Sequence, residues 1–227
     1  MSTAALAALL FDLDGVVVDN MAFHAEAWRR FFLARGLRIG MREFQEKTAG
    51  MPSRAVLAYY LERRLSRPEA VRLTAEKEAL YQRLYRPAMR PAAGLRLFLR
   101  RARAAGLRLG VGTGALPGNA AFVLDGLRLR PAFDAVVTSD EVRRGKPHPD
   151  TFLALARRLG VPPRACLVFE DALLGEEAAR RAGMRVIAVC GPRQARGFRH
   201  AERRVRDFSG LSPGSLRTGL PGARREC

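Results

Sequence analysis

The chain has 227 residues, which is enough for one core domain that carries a small insertion. Hydrophobic residues make up 48% and charged residues 27%, a composition that excludes a wholly disordered chain. No apolar run approaches the ~18 residues that a membrane helix requires, and the N-terminal MSTAALAALL lacks the basic start of a signal peptide. The three cysteines lack CxxC spacing, so we expect neither a disulfide framework nor a zinc ribbon, and a reducing cytoplasm fits best.

The formal net charge of +18 is carried almost entirely by arginine, since Lys47, Lys77 and Lys146 are the only lysines. Such a charge can indicate a nucleic-acid surface. The arginines are scattered along the sequence, however, and no basic patch is interleaved with aromatic residues. We therefore interpret the arginines as solvent-exposed residues of helix surfaces and expect no nucleic-acid partner. A basic nucleic-acid-binding protein stays a remote alternative.

Short apolar runs, typical of buried parallel strands, alternate with segments of helical spacing. The predicted strands are Leu9–Leu13, Leu107–Gly112, Ala135–Thr138, Cys166–Phe169 and Val186–Val189. The predicted helices between them are Gly94–Ala105, Asn119–Leu127, Asp150–Leu159 and Leu173–Ala182. This alternation predicts an α/β fold with a doubly wound, Rossmann-like, mostly parallel sheet.

One stretch interrupts the alternation with helical patterns alone: Phe23–Arg35, Met41–Ala49, Arg54–Leu65 and Pro68–Arg86. We predict an inserted α-helical cap domain over residues 18–90, with the core domain formed by residues 1–17 and 91–211. Residues 212–227, rich in Gly, Pro, Ser and Arg, are predicted to form a flexible basic tail.

Chemically active residues follow the predicted strands, where a sheet of this class binds its ligands. The residues at these strand ends are Asp12, Asp14, Thr113, Gly114, Lys146, Glu170 and Asp171. Converging carboxylates repel one another unless a cation is present, and Mg²⁺ suits an all-oxygen site that also binds phosphate. One aspartate could then attack phosphorus and the other move protons, with Lys146 and Thr113 stabilising the phosphoryl group.

Each motif has a purely structural alternative when taken alone. Asp12-Leu13-Asp14-Gly15 could be a tight turn, and Glu170-Asp171 could cap a helix. Thr113-Gly114 is uninformative by itself. Lys146, between Gly145 and Pro147, is one of only three lysines in the chain. The general use of arginine on the surface does not explain a lysine at this position. Their common placement after strands favours the functional interpretation.

The sequence resembles the haloacid dehalogenase superfamily, and in particular its β-phosphoglucomutase-like branch with a helical cap. The resemblance rests on Phe11-Asp12-Leu13-Asp14-Gly15-Val16, Thr113, Gly145-Lys146-Pro147-His148-Pro149-Asp150 and Phe169-Glu170-Asp171-Ala172, and it covers nearly all of residues 9–190. It implies Asp12 as nucleophile and Asp14 as general acid and base. It also implies Mg²⁺ bound by Asp12, the Asp14 carbonyl, Glu170 and Asp171.

The resemblance also extends to the cap, where it implies substrate contacts from His24, Gly50, Arg54 and Lys77. A helix histidine satisfied by its neighbours and solvated basic residues are the alternatives. The related mutases hold a second phosphate with polar residues after the second motif, where this chain has Ala115-Leu116-Pro117. We therefore expect a Mg²⁺-dependent phosphatase of a small phosphorylated metabolite, which the resemblance indicates to be a sugar phosphate, acting as a monomer or weak homodimer. β-Phosphoglucomutase is the alternative.

Overall fold

The computed structural model describes residues 5–48, 51–190 and 197–216. Its strands are Ala8–Phe11 (β1), Arg108–Gly112 (β2), Ala135–Val137 (β3), Cys166–Glu170 (β4), Arg185–Val189 (β5) and Arg203–Val205 (β6). Its α-helices are Met21–Leu33 (α1), Met41–Thr48 (α2), Ser53–Tyr60 (α3), Arg67–Tyr85 (α4), Leu95–Ala104 (α5), Pro117–Gly126 (α6), Asp150–Arg158 (α7) and Leu173–Arg181 (α8).

The chain divides into two compact units, which we call the core unit and the inserted unit. The core unit comprises Met1–Asp19 and Arg90–Cys227, and the inserted unit comprises Asn20–Met89. Within the core unit the Ala92 N–H donates to the Val17 carbonyl at 2.9 Å, so the two segments on either side of the insertion are hydrogen-bonded to each other. That the two units are separate domains stays a prediction.

The core unit contains one parallel sheet with strand order β3-β2-β1-β4-β5-β6. Alternate residues of β1 face opposite sides, as expected for a strand. Leu10 packs in a buried cluster with residues of α7 and α8. Phe11 instead packs with the rings of Phe98 on α5, Phe169 on β4 and Phe208 near the C-terminus. The predicted doubly wound α/β fold is confirmed.

The inserted unit is entirely helical in the residues that the structure describes. Its core is formed by aromatic and aliphatic side chains of all four helices, including Trp28, Phe32, Phe44, Leu57 and Leu73. Helix α3 ends at Tyr60, earlier than the predicted Leu65, and Glu62 has a φ of 52°, a conformation that a helix cannot contain.

Two expectations about the C-terminal region need correction. Strand β6 was not predicted, because its Arg203 and Arg204 lack the apolar pattern of the central strands. The predicted tail begins too early, since Pro213–Leu216 forms a 3₁₀ helix in which Pro213 and Leu216 are buried. The tail residues from 217 onward lie outside the described residues.

No helix in the described part of the chain is both long enough and apolar enough to span a membrane.

Candidate active site

The loop after β1 positions the first two carboxylates. Asp12 directly follows the strand, and its N–H donates to the Phe169 carbonyl on β4 at 3.0 Å. The chain then turns sharply at Gly15, which has a φ of +82° and whose N–H donates to the Val18 carbonyl at 2.7 Å. A Cβ at Gly15 would overlap the Asp171 carboxylate, so glycine allows the turn to approach that side chain.

Lys146 joins carboxylates that are far apart in the sequence. Its Nζ lies 2.7 Å from Asp12 Oδ1 and also donates to Glu170 Oε1. The side chain is 14% exposed and its Nζ lies 5.0 Å from the centre of the Phe152 ring. Burial alone would lower the pKa of Lys146, but the Asp12 and Glu170 carboxylates outweigh it and raise the pKa above its ordinary value. The ammonium is therefore charged and neutralises part of the acidic cluster.

Glu170 is fully buried at the end of β4, where backbone groups hold its carboxylate. Glu170 Oε2 accepts hydrogen bonds from the Asp171 N–H at 2.9 Å and the Ala172 N–H at 3.0 Å. Gly175, in the first turn of the following helix, lies so close that a Cβ there would overlap this carboxylate. Sequence reasoning did not identify Gly175 as part of the site; its only signal was a small residue five positions after Glu170.

Asp12, Glu170 and Asp171 form a group that could bind a metal ion, because one carboxylate oxygen of each lies within 4.8 Å of the others. Burial raises the pKa of Asp12 to about 7, with Lys146 opposing this shift and Glu170 and Asp14 adding to it. Burial, followed by the charges of Glu170 and Asp12, also raises the pKa of Asp171 well above its ordinary value. Such mutual repulsion is relieved by a hard divalent cation, which these oxygen donors suit.

Thr113 and Gly114 follow β2, the strand that neighbours β1 in the sheet. Thr113 is buried and its Oγ1 accepts a hydrogen bond from the Ala115 N–H at 3.0 Å. The position of a Cβ at Gly114 has no atom within 4 Å. Thr113 thus lies at the carboxyl-terminal edge that also carries Asp12, and Gly114 leaves space beside it.

In the inserted unit, His24 on α1 and Lys77 on α4 lie together. Lys77 Nζ is 3.0 Å from His24 Nδ1 and 3.0 Å from Glu78 Oε1, and the lysine is only 2% exposed. The His24 ring stacks on Tyr81, with their centres 3.7 Å apart. Lys77 is therefore a buried charge with specific partners, which the alternative of a solvated helix lysine does not describe.

The other two predicted substrate residues of the inserted unit have different surroundings. Arg54 is exposed on α3, and its guanidinium donates to the Leu65 carbonyl at 3.3 Å. Gly50 lies outside the described residues. Their proposed roles stay predictions.

These features can be compared with known proteins. The family model of haloacid dehalogenase-like hydrolases matches residues 6–183. The chain therefore belongs to the haloacid dehalogenase-like hydrolase family, as its motifs predicted. In sequence it is similar to the fructose-1-phosphate phosphatase YqaB of Escherichia coli, with 34% identity over 183 residues that cover 81% of this chain and 96% of the relative.

Two further comparisons indicate the branch of the family. The protein CbbY of Rhodobacter capsulatus is 32% identical over 218 residues, covering 90% of this chain and 94% of the relative. The crystal structure of β-phosphoglucomutase from Clostridium difficile superposes with a TM-score of 0.81 at 27% identity, covering 93% of this chain and 95% of that one. The predicted likeness to the β-phosphoglucomutase-like branch is confirmed.

Proposed function

We propose that the chain is a Mg²⁺-dependent phosphatase that hydrolyses a small phosphorylated metabolite, most simply a sugar phosphate, through a phosphorylated Asp12. The observation that carries the proposal is the contact of 2.7 Å between Lys146 Nζ and Asp12 Oδ1, inside a cluster of buried carboxylates. A lysine ammonium in contact with a buried carboxylate opposes the effect of burial and favours the charged, nucleophilic form of that carboxylate. The phosphatases among its relatives support the same reaction.

The donor set fits Mg²⁺, which prefers a few carboxylate oxygens and keeps positions for water and substrate phosphate. We assign Asp12, Asp171, the Asp14 carbonyl and Glu170 to the ion. Both Glu170 oxygens already accept hydrogen bonds, so direct binding by Glu170 would require Lys146 to release Oε1. When bound, the ion would offset the negative charge of the cluster and of the phosphoryl oxygens.

The protein residues divide the reaction into two steps. An Asp12 oxygen attacks phosphorus and the phosphoester P–O bond breaks, while Asp14 donates a proton to the leaving oxygen. Asp14 then accepts a proton from the water that attacks the phosphorylated Asp12, which releases phosphate and restores the carboxylate. Lys146 and Thr113 stabilise the negative charge on the transferring group in both steps.

The residues after Thr113 favour a substrate with a single phosphate. Leu116 is 46% exposed and precedes α6, at the carboxyl-terminal edge of the sheet. Together with Ala115 and Pro117 it supplies no side-chain hydrogen-bond donor to a second phosphate. A mutase must retain a bisphosphate intermediate, whereas a phosphatase releases its product after one hydrolysis, so this segment supports the phosphatase.

The test is single-turnover release of phosphate from a panel of sugar phosphates, nucleotides and phosphoglycolate, with and without Mg²⁺. Asp12→Asn should abolish release, while Asp125→Asn, a matched change at an exposed position of α6, should leave it unchanged. An Asp12→Asn variant that releases phosphate at the normal rate would overturn the assignment of the nucleophile.

β-Phosphoglucomutase is the second candidate, favoured by the structural similarity to that enzyme. It is tested by supplying glucose 1-phosphate with a bisphosphate primer and measuring glucose 6-phosphate. The phosphatase predicts free phosphate without accumulation of the isomer.

A further inference from the structure

Exposed arginines of the core unit gather at the amino-terminal edge of the sheet, opposite the catalytic carboxylates. In a doubly wound sheet each helix runs antiparallel to the strands, so its last turn lies at this edge. The last turns of α5, α7 and α8 all carry basic residues there: Arg101, Arg103, Arg157, Arg158, Arg180 and Arg181.

The segments that lead into the strands extend this positive edge into a row. Arg130 precedes β3, Arg108 begins β2, Arg164 precedes β4 and Arg185 begins β5. Following the strand order, these positions run from one side of the sheet towards the other. Neighbouring strands are ~4.8 Å apart, so the row from β3 to β5 is roughly 19 Å long.

Five of these ten arginines pair with carboxylates, namely Arg103, Arg158, Arg180, Arg181 and Arg185. No carboxylate of the described chain lies within ion-pair distance of four exposed members of the row, Arg101, Arg108, Arg130 and Arg164. The helix dipole favours cations in the last turn of a helix, but it does not account for arginines in the segments that enter the strands.

Exposed apolar residues, by contrast, are concentrated at the other edge. The large exposed hydrophobic residues of the described core unit are Leu97, Leu116, Leu153 and Leu173. Each belongs to the first turn of a helix or directly precedes one, and therefore lies at the catalytic edge. The arginine row thus has charge without the apolar side chains that would insert into a lipid surface.

We propose that this arginine row binds the sugar-phosphate backbone of duplex nucleic acid, independently of base sequence and separately from the catalytic site. Guanidinium groups bind phosphate oxygens through paired hydrogen bonds, and a linear row matches a linear array of phosphates. No Phe, Tyr or Trp ring of the described core unit is exposed for unpaired bases to stack on, which favours duplex over single strands. Although the arginines are dispersed along the sequence, the topology brings them to one edge, contrary to our expectation from sequence.

The test measures the affinity of the full chain for a 20-base-pair DNA duplex by fluorescence anisotropy at several salt concentrations. Arg101, Arg108, Arg130 and Arg164 are changed together to Gln. The control changes Arg38, Arg64, Arg67 and Arg72 to Gln, four exposed arginines of the inserted unit, and so removes the same total charge. Phosphate release by each variant reports whether the catalytic site remains intact.

We expect the unmodified chain to bind with a Kd of about 10⁻⁶ to 10⁻⁴ M and a steep salt dependence. The edge variant should bind at least about tenfold more weakly, and its salt slope should fall by about three to four. The control should keep most of the affinity, and both variants should keep the phosphatase rate.

Three outcomes would overturn the proposal. One is an equal loss of affinity in the control, which would indicate only an effect of net charge. Another is the absence of duplex binding by the unmodified chain in this concentration range. The third is tighter binding to phosphatidylserine vesicles than to the duplex, lost in the edge variant and retained in the control, which would assign the row to anionic lipid.

Discussion

The Glu170 carboxylate lies directly against the backbone of Gly175, in space that a Cβ at position 175 would occupy. The same carboxylate contacts Lys146, which in turn contacts Asp12. The absence of a side chain at this helix position therefore leaves the space that the Glu170 carboxylate occupies.

We expect Gly175→Ala to displace Glu170 and thereby disturb both Lys146 and the metal-binding oxygens. Residues that support metal ligands typically contribute about 10- to 100-fold to metal affinity or activity. Titration calorimetry with Mg²⁺ and measurement of kcat would detect such a loss. Gly118→Ala on α6, where a Cβ meets no atom within 4 Å, is the control for Mg²⁺ affinity. Unchanged metal affinity in Gly175→Ala would contradict this explanation.

Lys146→Met should reduce phosphate release by about 10²-fold or more, because it removes the cation that contacts Asp12, the proposed nucleophile. It should also lower the free energy of unfolding of the metal-free protein by about 3–5 kcal/mol, since buried carboxylates lose their partner. Denaturant unfolding at pH 8 measures this effect. Lys47→Met is the matched control, because Lys47 is 49% exposed and pairs only at the surface. Equal effects of the two substitutions would refute a special role for Lys146.

The stability of the metal-free protein should fall as pH rises towards 7. Burial raises the pKa of Asp12 from 3.8 to about 7, so between these values the folded chain retains a proton that the unfolded chain has released. Bound Mg²⁺ must displace this proton. We therefore expect the increase in Tm caused by Mg²⁺ to be larger at pH 8 than at pH 6. An identical increase at both pH values would argue against displacement of an Asp12 proton by the metal.

Leu116→Lys should strengthen the binding of sugar bisphosphates relative to monophosphates, because it restores a cation beside the segment after Thr113. Inhibition constants for a paired bisphosphate and monophosphate measure the change. Leu97→Lys, at a residue of α5 that is 44% exposed, is the control for added charge. If both variants shift the two constants equally, position 116 does not contact the second phosphate.

Truncation after Leu211 should destabilise the core unit, because Pro213 and Leu216 are buried. In addition, the Arg185 guanidinium donates to the Leu216 carbonyl at 2.9 Å. Loss of one buried leucine costs about 1.5–3 kcal/mol. Urea unfolding of this variant and of one truncated after Leu216 separates these residues from the remainder of the chain. Equal stability of the two truncated chains would contradict a structural role for Pro213 and Leu216.

Much of the fold could be predicted because the central strands are continuous apolar runs and the helices between them are periodic. The convergence of Asp12, Lys146 and Glu170 also followed from a general rule, since carboxyl ends of parallel strands share one edge. Strand β6 was not predicted because it is a half-exposed edge strand, and its Arg203 and Arg204 do not form an apolar run. The end of the core unit was placed too early because Leu211 and Leu216 are separated by polar and small residues.

Other features depend on packing that no local pattern encodes. His24 and Lys77 are 53 positions apart and meet only because α1 packs on α4. The role of Gly175 depends on how closely α8 approaches β4. Likewise, the arginine row becomes visible only when the carboxyl ends of the helices and the amino ends of the strands are assigned to the same edge of the sheet.

The hydrogen bond between Ala92 and Val17 has a consequence for how this protein can vary. The chain leaves the core unit after Val17 and re-enters it before Ala92, and these two segments are hydrogen-bonded neighbours. The inserted unit, Asn20–Met89, is therefore connected to the core unit at one place. Substituting a different helical module, or a short bridging peptide, would leave the sheet and its catalytic carboxylates connected as before. We expect such an exchange to alter the proposed substrate contacts of His24 and Lys77 and to leave the contacts of Lys146 with Asp12 and Glu170 unchanged.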